Sequence, residues 1–260
     1  MGGAALVTGG AKRIGRAIVE ALAARGTAVA IHYAGSADAA EALAEEIRGT
    51  GGKAAALQAD LVDTAAAMAL VPRAAEALGQ PLTILVNNAS IFEHDTIETA
   101  TLESWERHIN SNLKSPFLLT QAFAAQCPRG ARDAAGEPVA SGAVINMIDQ
   151  RVRKLTPEFM TYTLAKAGLW TFTQTAAQGL APDIRVNGIG PGPTLIGGRQ
   201  SPEHFAAQRA ATVLERGSNP ADIVAALTFL LDSPAVTGQL ICTDGGQHLG
   251  WKTPDVLGVE

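Results

Sequence analysis

Ala4-Ala5-Leu6-Val7-Thr8-Gly9-Gly10-Ala11-Lys12-Arg13-Ile14-Gly15 is a short apolar run that breaks into a glycine-rich turn and then into an alanine-rich helical pattern. Glycines at such a turn let backbone amides approach a pyrophosphate, which then rests on the positive end of the following helix. Any tight strand-to-helix connection also needs glycine, but the place of this turn between a first strand and a first helix favours the phosphate-binding reading. Gly9, Lys12, Arg13, Ile14 and Gly15 are therefore candidate cofactor contacts.

Outward from this turn, apolar, β-rich runs at 4–7, 27–31, 53–58, 82–86, 142–147, 184–186 and 239–242 alternate with helical patterns at 13–25, 37–48, 64–78, 102–126, 159–180 and 220–231. Strand–helix alternation of this kind specifies βαβ units. The expected fold is a single α/β domain over 1–260, a Rossmann-type doubly wound parallel sheet of about seven strands with helices on both faces. Residues 128–141 read as a surface loop, and 190–218, rich in Gly and Pro with a short helical stretch at 205–215, as a substrate lid.

With 47% hydrophobic and 17% charged residues among 260, the chain has enough apolar material for a large core. A net charge of -5 without a basic stripe argues against nucleic acid as a partner. Nothing approaches the roughly 20 apolar residues of a membrane span. Cys127 and Cys242 stand apart without metal-ligand spacing and read as free thiols. A reducing cytoplasm is the expected location, since the first residues also lack signal-peptide regions.

The second strand runs out through Ile31-His32-Tyr33-Ala34-Gly35-Ser36 with no acid to accept a ribose 2′-hydroxyl. Lys12, Arg13, His32 and Ser36 are donors suited to a 2′-phosphate, and Tyr33 lies among them, so NADPH is the expected cofactor. Cations at a helix N-terminus are mildly unfavourable without an anion to bind, which supports this over a solvated pair. In Ala59-Asp60-Leu61, Asp60 either accepts from adenine or caps a helix. Asn87-Asn88-Ala89-Ser90 follows the fourth strand, at the crevice side of the sheet, where the Asn side chains lock the turn, meet the cofactor, or do both.

Tyr162-Thr163-Leu164-Ala165-Lys166 sits in a helical pattern, so Tyr162 and Lys166 share one face at i,i+4. That spacing is common by chance. The turn at 8–15, Asn87-Asn88-Ala89, Asn112, Tyr162 to Lys166 and Pro191-Gly192 nevertheless arrive in the order of the short-chain dehydrogenase/reductase family, and the chain resembles it over nearly its whole length. The resemblance implies hydride transfer from a nicotinamide, with Tyr162 as proton donor. It also implies that Lys166 binds the ribose and lowers the phenol pKa, and that Asn112 holds a relay water. Lowering a phenol from about 10 to about 7 requires roughly 4 kcal/mol, which an ammonium about 4 Å away supplies only where solvent is partly excluded.

Two departures narrow the expectation. Most of the family has a serine about a dozen residues before the tyrosine, but here Asp149 stands there, and an ionised carboxylate cannot donate to a ketone oxygen. Arg13 occupies the usual middle glycine of the turn. With His32-Tyr33, Ser90 and Phe92, these resemble the pteridine reductase branch. That resemblance implies that Arg13, Ser90, Phe92, Asp149 and Tyr162 contact a pterin-like substrate, with Phe92 stacking it against the nicotinamide. The expected reaction is NADPH-dependent reduction of a C=N bond in a dihydropterin or dihydrofolate. The alternatives are a 3-oxoacyl or carbonyl reductase of the same family and a non-catalytic nucleotide sensor. A homotetramer pairing the helices at 102–126 and 159–180 is implied, with the tail 251–260 near a neighbouring site.

Overall fold

The computed structural model describes residues 3–198, 200–253 and 256. Among the described residues seven parallel strands form one sheet: β1 (Ala4–Val7), β2 (Ala28–Tyr33), β3 (Ala54–Gln58), β4 (Ile84–Asn87), β7 (Gly142–Met147), β8 (Ile184–Pro191) and β9 (Leu240–Thr243). Their order across the sheet is β3-β2-β1-β4-β7-β8-β9, so the winding reverses between β1 and β4. Open sheets of this kind bind ligands outside the carboxyl ends of the strands at such a reversal.

Strand alternation divides the core. Ala5 and Val7 of β1 face helices α1 (Arg13–Ala24), α2 (Ala37–Gly49) and α8 (Pro220–Asp232), where Ile18, Leu22, Leu43, Ile47, Ile223 and Leu227 pack. Ala4 and Leu6 face the other way, onto Leu70 and Val71 of α3 (Thr64–Leu78), Leu119 and Phe123 of α5 (Ser115–Gln126) and Ala176 of α6 (Met160–Leu180). Each fully buried Leu, Ile or Phe contributes about 1.5–3 kcal/mol relative to exposure, so both layers are strongly held. Among the described residues no helix is long and apolar enough to cross a membrane.

Three expected elements differ. The helix expected over 102–126 is interrupted, with α4 (Leu102–Ile109) passing through a π turn (Asn110–Lys114) into α5. Residues 128–141 contain a small antiparallel hairpin, β5 (Ala131–Arg132) with β6 (Pro138–Val139). In the segment after β8, helix α7 (Pro202–Ala210) starts at Pro202, with Ser201 accepting from the His204 amide, earlier than the expected 205–215. The tail expected to reach a neighbouring site lies largely outside the described residues.

Candidate active site

The turn after β1 is built from backbone contacts. Gly9 is in the left-handed region, with φ +60°, and a Cβ on Gly15 would meet the Gly9 carbonyl at 2.1 Å, so α1 sits directly on the turn. Asn88 Nδ2 donates to the carbonyls of Thr8 (2.8 Å) and Gly9 (3.1 Å), and Thr8 Oγ1 accepts from the amides of Asn88 and Ala89 at 2.9 and 3.0 Å. Asn88 thus locks the turn. Arg13 also takes a left-handed conformation, φ +57°, where the family has glycine, and donates to the carbonyls of Ile196 (2.9 Å) and Leu195 (3.1 Å) across the cleft.

The donor set here fits a dinucleotide phosphate. The N-terminus of α1 carries no acid in its first turn, Lys12 is exposed at its N-cap, and the glycines allow close approach. At the end of β2, Ser36 occupies the N-cap position of α2 without capping it, and no carboxylate lies between Ala34 and Ser36.

His32 departs from expectation. It is buried, its Nδ1 accepts from the Gly9 amide at 3.0 Å, and its Nε2 donates to the Ala59 carbonyl at 3.1 Å. Burial lowers its pKa, so it is a neutral spacer between turn and sheet, not a cation for a 2′-phosphate. Tyr33 packs partly buried against the core. Asp60 accepts from the Val62 amide at 2.9 Å in a local turn, and the helix cap is Asp63, which accepts from Ala65 and Ala66. Leu61 is buried, and its carbonyl accepts from Ser115 Oγ.

At the other end of the cleft, Asp149 follows β7 and joins two elements. Its Oδ1 accepts from the Arg151 amide at 2.7 Å, opening a short 3-10 turn, and its Oδ2 accepts from Tyr162 Oη at 2.9 Å. One turn along α6, Lys166 Nζ donates to the Met147 carbonyl at 2.7 Å and lies 5.7 Å from the Tyr162 ring centroid. Burial raises the Asp149 pKa, while the bonds from Arg151 and Tyr162 oppose it. Burial, together with the Asp149 charge, pushes the Tyr162 phenol well above 10. Burial lowers Lys166 to about 8.

The expected lowering of the phenol by Lys166 is therefore not found. Desolvation and the Asp149 carboxylate 2.9 Å away outweigh the lowering by Arg151 and Ser90, and Tyr162 is held as a neutral donor. Asn112 lies in the π turn between α4 and α5. Its side chain is fully buried, with Oδ1 accepting from the Ile91 amide (2.9 Å) and Nδ2 donating to the Ile91 carbonyl (2.8 Å), so the side-chain amide holds this loop in place.

A cavity of about 800 Å³ brings together Arg13, Ile14, Asn88, Ser90, Phe92, Asp149, Tyr162, Lys166, Pro191 and Gly192. Gly9, Lys12, Gly15, His32, Tyr33, Ser36, Asp60, Leu61, Ala89 and Asn112 do not line it. Phe92 stands edge-on to Tyr162, with centroids 4.7 Å apart, and stacks face-to-face on Phe159 at 4.3 Å and 8°. Arg151 lies 5.0 Å over the Phe159 ring. Phe159 and Arg151 escaped the sequence reading. The one local signal at Phe159 is conformational, a left-handed φ of 59° just before α6, and it leaves no trace in composition.

A Rossmann sheet with a Tyr–Lys pair and a glycine turn at its switch point defines a nicotinamide-dependent oxidoreductase architecture. The family model of short chain dehydrogenases matches residues 3–204, and the chain belongs to that family. An uncharacterised oxidoreductase of Methylorubrum extorquens is 36% identical over 253 residues, covering 94% of this chain and 97% of that protein. A 3-oxoacyl-acyl-carrier-protein reductase of Staphylococcus aureus is 32% identical over 250 residues, covering 94% and 98%. Among solved structures, FolM alternative dihydrofolate reductase 1 from Brucella canis, complexed with NADP, superposes with a TM-score of 0.88 at 43% identity, covering 98% of this chain and 97% of that one.

Proposed function

We propose that this enzyme uses NADPH to reduce a C=N bond in a pterin-type ring, dihydropterin or dihydrofolate. The observation that carries the reading is the 2.9 Å bond from Tyr162 Oη to Asp149 Oδ2, with the Phe92 ring 4.7 Å from the Tyr162 ring. An ionised carboxylate there cannot polarise a ketone by donation, but it can accept from ring amino groups while Tyr162 donates its proton to a ring nitrogen. The Brucella dihydrofolate reductase supports the substrate class, and its complex with NADP supports the cofactor.

When bound, NADPH supplies the hydride. The turn at 8–15 and Asn88 present the amides and carbonyls that shape its phosphate seat. Tyr162 holds the proton destined for the nitrogen next to the carbon receiving hydride, and Asp149 accepts from that hydroxyl and orients it. Lys166 supplies positive charge from its seat on the Met147 carbonyl. Phe92 presents a flat face that fixes ring orientation, and Arg13 and Ser90 contact the heterocycle's polar edge. The segment 190–218, tied by Arg209 Nη1 to the Pro193 carbonyl at 2.8 Å, serves as the lid that excludes water. Exposed Leu102, Trp105, Phe117 and Leu164 on α4, α5 and α6 support a homo-oligomer paired through these helices.

The Staphylococcus relative favours a second reading, reduction of a 3-oxoacyl thioester. A panel of dihydrofolate, dihydrobiopterin, dihydromonapterin and an acetoacetyl thioester, each with NADPH and with NADH, separates the two. The pterins are expected to turn over with higher kcat/KM, with NADPH preferred. Activity confined to the ketone would remove the pterin reading.

A further inference from the structure

Helix α6 begins without a cap of its own. Its N-cap residue, Phe159, is in the left-handed region and offers no side-chain acceptor. First-turn amides of a buried helix need partners. Here they come from Asp95, on the loop that also carries Ser90 and Phe92. Asp95 Oδ1 accepts from the Thr161 amide at 3.1 Å, and its main-chain carbonyl accepts from the Met160 amide at 3.3 Å. Asp95 Oδ2 accepts from the Thr161 hydroxyl and from Ser104 Oγ of α4 at 3.1 Å.

His108, also on α4, completes the chain. Its Nε2 accepts from the Glu93 amide at 3.2 Å, so Nδ1 carries the proton and donates to Thr161 Oγ1 at 2.7 Å. The Thr161 hydroxyl is then free to donate only to Asp95, which gives the network one direction, from the Glu93 amide through His108 and Thr161 to the carboxylate. Asp95, His108 and Thr161 are at most 3% exposed, and none lines the cavity. The His108 ring lies 6.0 Å from the Tyr162 ring, nearly perpendicular to it. Burial lowers the His108 pKa, which keeps the imidazole in the neutral form this direction requires.

The structure assigns Asp95, His108 and Thr161 as positioning residues that set where Tyr162 stands relative to Ser90 and Phe92. Three elements meet in this network: the substrate-side loop, α4 and the first turn of α6. Thr161 immediately precedes Tyr162, so a shift of this turn moves the phenol against its partner Asp149. The assignment rests on the reading of Tyr162 as proton donor.

Thr161→Val keeps shape and removes the hydroxyl link, and Thr161→Ser restores it. The chain has two tyrosines, so full-length protein labelled with 3-fluorotyrosine gives two fluorine resonances, and Tyr162→Phe identifies which belongs to Tyr162. Thr161→Val is expected to lower kcat about tenfold, equal to about 1.4 kcal/mol. It should also move the Tyr162 resonance and leave NADPH affinity within about twofold, while Thr161→Ser recovers kcat. The rate is measured with dihydrofolate, or with the acetoacetyl thioester if the ring substrate is not turned over.

An unmoved Tyr162 resonance, kcat within about twofold of wild type, or a serine variant as slow as the valine one would overturn the assignment. Should Thr161→Val not fold, His108→Asn, which keeps a donor near Nδ1, is compared with His108→Gln, which does not. Asn is then expected to be the faster variant, and equal rates would count against the network. Turnover that survives Tyr162→Phe would instead remove the proton-donor reading, whatever the resonance does.

Discussion

Asp149→Asn separates charge from shape at the centre of the site. The carboxylate accepts through two oxygens, Oδ1 from the Arg151 amide at 2.7 Å and Oδ2 from Tyr162 Oη at 2.9 Å. Asparagine has one oxygen, so one of these donors loses its acceptor and faces an amide N–H. The Arg151 amide is fixed by the 3-10 turn, and the phenol is the partner that rotates. A hydrogen bond to a charged group contributes about 1.5–3 kcal/mol, and at about 1.36 kcal/mol per decade that predicts a fall in kcat of roughly 10- to 150-fold. The assay is NADPH consumption at saturating dihydropterin, with NADPH binding measured separately by fluorescence and expected to change little. A variant that keeps more than half of wild-type kcat with intact binding would refute the role given to the carboxylate.

Lys166, lowered by burial to about 8, makes the reaction sensitive to alkaline pH. As pH rises past about 8 the ammonium loses its proton and kcat/KM should decline, and Lys166→Arg, charged beyond pH 12, should carry that limb upward even if its absolute rate is lower. An unchanged limb in the arginine variant would place the titration elsewhere. Phe92→Ala removes the flat face beside Tyr162 and, at about 0.5–1.5 kcal/mol for an aromatic stack, should raise KM for the ring substrate roughly 2- to 10-fold. The same change should leave KM for NADPH close to wild type, and a purely cofactor-side effect in steady-state kinetics would contradict the placement.

The sheet was legible because each strand is an apolar run bounded by turn residues, whereas the strand order with its reversal between β1 and β4 is set by packing across the sheet. Where the reading missed, the deciding forces were tertiary. The π turn at Asn110–Lys114 shifts the helical register over one turn, too little to disturb the apolar period over 102–126. His32 looked like a surface donor because its direction at the strand end depends on the buried Gly9 amide and Ala59 carbonyl that receive it. Tyr162, Lys166 and Asp149 were readable through family order, but the sign of the phenol shift was not. It depends on burial of the phenol and on a 2.9 Å approach between residues thirteen positions apart. Asp95 gave no signal at all, since it caps a helix 66 positions away in sequence.

The central claim is that the proton goes to a ring nitrogen because Asp149 replaces a hydroxyl donor beside Tyr162. The most direct test is the ratio of kcat/KM for dihydrofolate to that for an acetoacetyl thioester, measured with NADPH in the wild type and in Asp149→Ser. The account predicts a ratio well above one in the wild type that falls at least tenfold in the serine variant, as ring reduction weakens and the ketone gains a donor. A wild-type preference for the thioester, or a ratio that Asp149→Ser leaves unchanged, would contradict it.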